Sequence, residues 1–114
     1  MKIIDFNVAI KVNPNSMNFI GCTGRREWSA PETRDYVHNS SDFKIDCWTL
    51  GCIMYFLCTG KYLFRQDDNL TAKINFDSKL TEYSDSQEFP NMINFISRLL
   101  TVDPEERMSA KEAL

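Results

Sequence analysis

The sequence predicts a mainly α fold, with a short N-terminal β segment and a long polar loop. Three observations predict it. Residues 47–58 run almost unbroken through apolar side chains, from Cys47-Trp48 to Leu57-Cys58. Met92, Ile93, Phe95, Ile96, Leu99 and Leu100 recur at helical spacing. Apolar residues alternate with a period of two in one place, at Ile4, Phe6, Val8, Ile10 and Val12, which reads as one strand or two short ones.

Asn13-Pro14-Asn15-Ser16 then turns the chain, and the polar, irregular stretch to Gly24 reads as loop. Pro31 suits the first turn of a helix, where its missing N–H has no role. A helix is expected from Asp46 to Thr59, with Asp46 as its N-cap, worth about 1 kcal/mol, and Gly60 as its stop. It is apolar nearly all the way round, and such a helix is buried on all sides or crosses a membrane. Its length is too short to cross, so a central core helix is expected. A short helix is expected near Leu70–Phe76, and a longer one after Pro90 that ends at Asp103-Pro104. Ser109-Ala110-Lys111-Glu112 has the spacing of a capping box, which opens a last helix.

Composition narrows the class of function. A chain of 114 residues, 43% hydrophobic and 25% charged, fits one globular domain or a piece of one. The net charge is −3, and the one notable basic cluster is Arg25-Arg26, followed by Glu27. Neither a nucleic acid nor an anionic membrane is an expected partner. Four cysteines, at 22, 47, 52 and 58, lack C-x-x-C spacing, and a single His38 does not complete a zinc set. Free thiols in a reducing compartment are expected. Met1-Lys2-Ile3-Ile4 runs into Asp5 and Asn7 before a signal-peptide core can form. An intracellular address, cytoplasmic or nuclear, is the expectation.

Four short motifs carry the functional argument. Asp5-Phe6-Asn7 falls in the alternating segment. Ala30-Pro31-Glu32 ends the long loop. Asp46-Cys47-Trp48-Thr49-Leu50-Gly51 opens the apolar helix, and Asp103-Pro104-Glu105-Glu106-Arg107 follows the next one. Each alone is weak. In this order and spacing they resemble the protein-kinase superfamily, from its magnesium-binding D-F-G to its final helix. The resemblance covers essentially the whole chain. Leu50-Gly51-Cys52-Ile53 and Leu100-Thr101-Val102-Asp103-Pro104 resemble the serine/threonine branch, although Trp28 also resembles tyrosine kinases.

The resemblance implies the helical C-lobe of the protein-kinase fold, with a magnesium loop and activation segment over 1–32 and the helical part over 33–114. In such a lobe Asp5 is the metal ligand, because a hard cation takes carboxylate oxygen. Phe6 packs as a movable apolar element. Asn7 stands where the family has Gly; it is the residue that best tolerates positive φ after glycine. Ser16 and Thr23 are candidate phosphosites, or ordinary polar loop residues. Arg25 stands at a position usually held by threonine, and Trp28 matches the aromatic that shapes the substrate-binding loop. Glu32 and Arg107 match a buried ion pair, against the alternative of two surface charges. Asp46 and Trp48 are structural, Asp46 accepting hydrogen bonds from the family's catalytic loop. Leu63 replaces the proline of the family's G-x-x-P-F turn.

A working kinase also needs a Gly-rich loop, a lysine paired with a helix glutamate, and H-R-D-x-x-x-x-N. The four glycines form no G-x-G, and the sole histidine reads His38-Asn39-Ser40. The expectation is a serine/threonine kinase fragment that transfers the ATP γ-phosphate to protein hydroxyls when complete. It uses Mg-ATP then, and is inactive alone. The alternative is a non-catalytic, pseudokinase-like module or a truncated gene product. A protein substrate or partner protein is expected in either case. The elements that precede D-F-G in the family cover part of the central helix. Without them about 300 Å² of apolar surface is open, on the order of 7 kcal/mol, which predicts marginal stability.

Overall fold

The computed structural model describes residues 2–7, 9, 25–34, 43–64 and 90–114. A 3-10 turn, Arg26–Trp28, leads into a short helix α1 (Pro31–Arg34), then a long helix α2 (Lys44–Thr59) and a third helix α3 (Pro90–Leu99). The described residues are mainly helical, as a helical lobe requires. Among them no strand forms: residues 2–6 carry no ladder, and Ile3, Ile4 and Phe6 lie open to solvent. The expected β segment is thus not seen there. Alternation alone makes no strand, because backbone N–H and C=O groups need a neighbouring strand to pair with. Val8, Ile10, Val12, the loop to Gly24, Ser16, Thr23 and the helix expected near Leu70–Phe76 lie outside the described residues.

Helix α2 starts two residues before the expected N-cap. Phe43 is the capping residue and makes no side-chain cap bond, while Asp46 sits exposed within the first turn. There its carboxylate still meets the positive end of the helix dipole. Gly60 ends α2 as expected. Its φ is 69°, in the left-handed region, and its N–H donates to the Phe56 carbonyl at 2.7 Å.

The core lies where α2 meets α3. Trp48, Cys52 and Tyr55 of α2 pack with Ile96 and Leu100, and with Ala30, Leu63 and Phe64. Cys47, Leu99 and Met108 extend this packing at the N-terminal end of α2. The close approach depends on Gly51, where a Cβ would stand 2.7 Å from Leu100 Cγ. Leu63 fills the position expected to differ from proline and is buried beside Phe64.

Helix α2 is not buried on every side: one apolar face is open, as expected of this helix without the elements that precede D-F-G in the family. Leu50, Ile53 and Leu57, spaced three and four apart and so on one face, are exposed, Leu57 at 75%. The described chain packs α3, the 3-10 turn and the closing turn 60–64 around the opposite side only. Among the described residues no helix is long and apolar enough to cross a membrane.

Candidate functional site

The site is organised by a buried ion pair between α1 and the C-terminal turns. Arg107 Nη1 donates to Glu32 Oε1 at 2.6 Å, and Nη2 donates to Oε2 at 2.9 Å. Both side chains are buried. The other three N–H groups also find acceptors: Nε donates to the Thr101 carbonyl, Nη1 to that of Lys44 and Nη2 to that of Val102, at 2.9, 3.1 and 3.2 Å. A guanidinium carries five donors in a fixed fork, and here five acceptors meet them. Its carbon lies 5.0 Å from the centre of the Trp48 ring, and Trp48 also stacks on Phe64 at 5.6 Å.

Local structure prepares this clasp. The backbone N–H of Arg107 donates to the Asp103 carbonyl and that of Met108 to the Arg98 carbonyl. Asp103 Oδ1 accepts from the Glu105 N–H at 2.9 Å, a turn that aspartate favours. Lys44 reaches back across it, donating to the carbonyls of Pro104 and Glu105 at 2.9 and 3.0 Å. The first turn of α2 and the loop after α3 therefore hold each other by both Lys44 and Arg107.

The second part is the 3-10 turn. The Trp28 N–H donates to the Arg25 carbonyl at 3.0 Å, and the Ser29 hydroxyl donates to the same oxygen at 3.0 Å. Thr49 Oγ1 on α2 shares its proton between the Trp28 and Ile45 carbonyls, both at 3.2 Å. The Trp28 ring meets Tyr62 at 5.4 Å and Phe56 at 6.1 Å, both edge to face. This fixes the backbone of residues 25–29 on α2 at Thr49 and seats the Trp28 ring further along it, at Phe56.

A further candidate residue is Asp5, on the N-terminal segment. Its φ is 64°, and it is the one non-glycine residue with positive φ among those described. Such a backbone costs of order 1–3 kcal/mol and clusters where geometry serves function. The left-handed position falls on Asp5 and not on Asn7, where the residue type alone had placed the tolerance. A bond from the Ala9 N–H to the Phe6 carbonyl, 3.0 Å, follows directly after it. Phe6 is 67% exposed, so the apolar packing expected for it is not made.

Asp5 offers exposed hard oxygen, which suits a magnesium cation. Among the described residues no group of three histidine, cysteine or acidic side chains forms a metal cage. Magnesium commonly binds through one or two carboxylates plus substrate phosphates, so Asp5 fits as one ligand of a nucleotide-borne ion.

The structure therefore joins Glu32, Arg107 and Trp48 directly and seats Trp28 on α2, while Asp46 stays exposed. Lys44, Thr49 and Tyr62 were not singled out by sequence. Thr49 left a signal: it is the one serine or threonine inside the apolar run 47–58.

Sequence comparison completes the picture. The model of the family described as "Protein kinase domain" matches residues 1–114. The chain is 37% identical over 121 residues to "Myosin light chain kinase 2, skeletal/cardiac muscle" of Mus musculus, covering 100% of the chain and 19% of that relative. It is 33% identical over 116 residues to "Serine/threonine-protein kinase KIC1" of Saccharomyces cerevisiae, covering 100% of the chain and 11% of the relative. With "Serine/threonine-protein kinase 17A" of Oryctolagus cuniculus it shares 30% over 118 residues, 100% of the chain and 29% of the relative. The chain thus spans less than a third of the length of these relatives.

Proposed function

The chain belongs to the protein kinase family, and we propose from that premise that it is the part of a serine/threonine kinase that positions the protein substrate and supplies one magnesium ligand. The observation that carries this reading is the buried Glu32–Arg107 clasp. It ties the residue after Ala30-Pro31 to the turn after α3 and so holds the adjoining turn 25–29 in place.

In phosphoryl transfer the protein's work is positioning and charge neutralisation. A bound magnesium ion neutralises charge on the phosphates. Asp5 would offer a carboxylate oxygen to such an ion, from a left-handed backbone position. Trp28, held on Thr49, shapes the surface on which the acceptor segment lies. The acceptor hydroxyl must lose a proton to a base. The family uses the Asp of H-R-D for this, and the one histidine of these 114 residues is followed by Asn39-Ser40. The chain alone is then inactive.

A transfer assay tests the proposal. The chain alone, with Mg-ATP and a mixed pool of hydroxyl peptides, transfers nothing. A chimera in which residues 1–114 replace the matching stretch of Myosin light chain kinase 2 phosphorylates serine and threonine, and Asp5→Asn abolishes this at unchanged melting temperature. Transfer by the chain alone overturns the inactivity. A folded but silent chimera favours a second reading, suggested by the open Leu50–Ile53–Leu57 face of α2: a non-catalytic module that binds a protein there.

A further inference from the structure

Arg25 and Arg26 are both exposed, and among the described residues neither is in an ion pair. Unpaired surface arginines are ordinary on mobile loops. These two are not free to move at the backbone. The Arg25 carbonyl accepts from the Trp28 N–H and the Ser29 hydroxyl, each at 3.0 Å, and the Arg26 carbonyl accepts from the Ser29 N–H at 3.3 Å. Thr49 then pins the turn to α2 through Trp28. Two guanidiniums are thus presented from a rigid base, which lowers the entropy lost on binding.

Their acidic neighbour does not neutralise them. Glu27 is half-buried, and its Oε2 lies out of contact with solvent without a hydrogen-bond partner. It faces inward where the arginines face outward. Beside the turn, Trp28, Phe56 and Tyr62 form an aromatic wall, and Tyr62 is exposed. The full chain carries a net charge of −3. A long polyanion meets that overall repulsion, whereas a short acidic segment engages only the local pair.

We propose that Arg25 and Arg26 make this turn a selector for acidic protein segments, in which Asp or Glu side chains flank the acceptor residue and pair with the two guanidiniums. Arginine suits this because its planar fork binds a carboxylate through two N–H groups. The inference rests on the reading of this surface as substrate-positioning. It depends on peptide binding alone and not on phosphate transfer.

Fluorescence anisotropy with the full chain tests it. Three labelled peptides share a central serine and differ in flanks that are acidic, neutral or basic; a single-stranded oligonucleotide of the acidic peptide's charge is the fourth probe. The acidic peptide should bind about tenfold more tightly than the neutral one, the scale of two exposed charge pairs. The preference should shrink with added salt. Arg25→Glu with Arg26→Glu should reverse it towards the basic peptide. Arg25→Gln with Arg26→Gln, milder for folding, should abolish it at an unchanged circular dichroism spectrum. Equal binding of acidic and neutral peptides, no binding of any peptide, or tighter binding of the oligonucleotide each overturns the proposal. A silent kinase chimera alongside an intact acidic preference would remove the catalytic reading and leave this one standing.

Discussion

On one side of α2, Trp48, Cys52 and Tyr55 are 0%, 1% and 5% exposed; on the other, Leu50, Ile53 and Leu57 are 44%, 41% and 75% exposed. The two sides are equally apolar in sequence. Their difference comes from what packs on them. The covered side receives α3, residues 63–64 and the turn before α1, and Gly51 lets α3 come close. Among the described residues the other side receives no comparable cover. An all-round apolar helix therefore says that cover is needed, not which segment provides it.

The largest test acts on the covered side. Glu32→Ala leaves Arg107 buried with its charge unpaired, and should cost about 3–5 kcal/mol in urea unfolding. Glu32→Met with Arg107→Met should recover part of this, because no lone charge remains. It should stay below the native chain, because the carbonyls of Lys44, Thr101 and Val102 lose their donor. A cost of Glu32→Ala below about 1 kcal/mol would mean that the clasp behaves as a surface pair.

Next in size is a contrast within α2. Gly51→Ala forces a methyl against Leu100 and should cost about 1–3 kcal/mol. Leu57→Lys, on the open side, should change stability by no more than about 0.5 kcal/mol. It should also reduce self-association in sedimentation velocity, since it breaks an exposed apolar patch. If Leu57→Lys destabilises as much as Gly51→Ala, the open side is covered after all.

The smallest effect is electrostatic and lies away from both sides. Hydrogen bonds from the Ser109 hydroxyl and then from its backbone N–H hold the Glu112 carboxyl below its usual range. A lowered folded pKa adds stability above the ordinary carboxylate pKa, and that stability is lost as pH falls through the lowered value. Glu112→Gln should therefore flatten part of the decline in melting temperature from about pH 6 to about pH 3. An unaltered decline would mean that the capping bonds at Ser109 contribute nothing.

Much of the helical part was legible in the sequence. Met92 to Leu100 carried a clear helical period, Gly60 marked the end of α2, and Ser109 with Glu112 marked the capping box that forms. Glu32 and Arg107 are 75 residues apart, and no local rule pairs them; the resemblance did. Asp46, a good capping residue, sits inside the first turn instead, because the helix already begins at Lys44 after Phe43. At Ile4 and Phe6 the alternation is not matched by a ladder, since a strand is defined by its neighbour, and Val8, Ile10 and Val12 lie outside the described residues. The left-handed backbone at Asp5 was hidden, because Asn7 is the better residue for it by type. Thr49 and Lys44 act through contacts with distant carbonyls, which side-chain type does not reveal.

Thiol labelling under native conditions tests the unequal cover of α2 most directly. Cys47 and Cys52 are buried and Cys58 is exposed, all thiols on this helix. Mass spectrometry of the labelled peptides should show Cys58 modified rapidly, with Cys47 and Cys52 protected until denaturant is added. Equal rates at all three in the native chain would contradict the account, because α2 would then have no covered side.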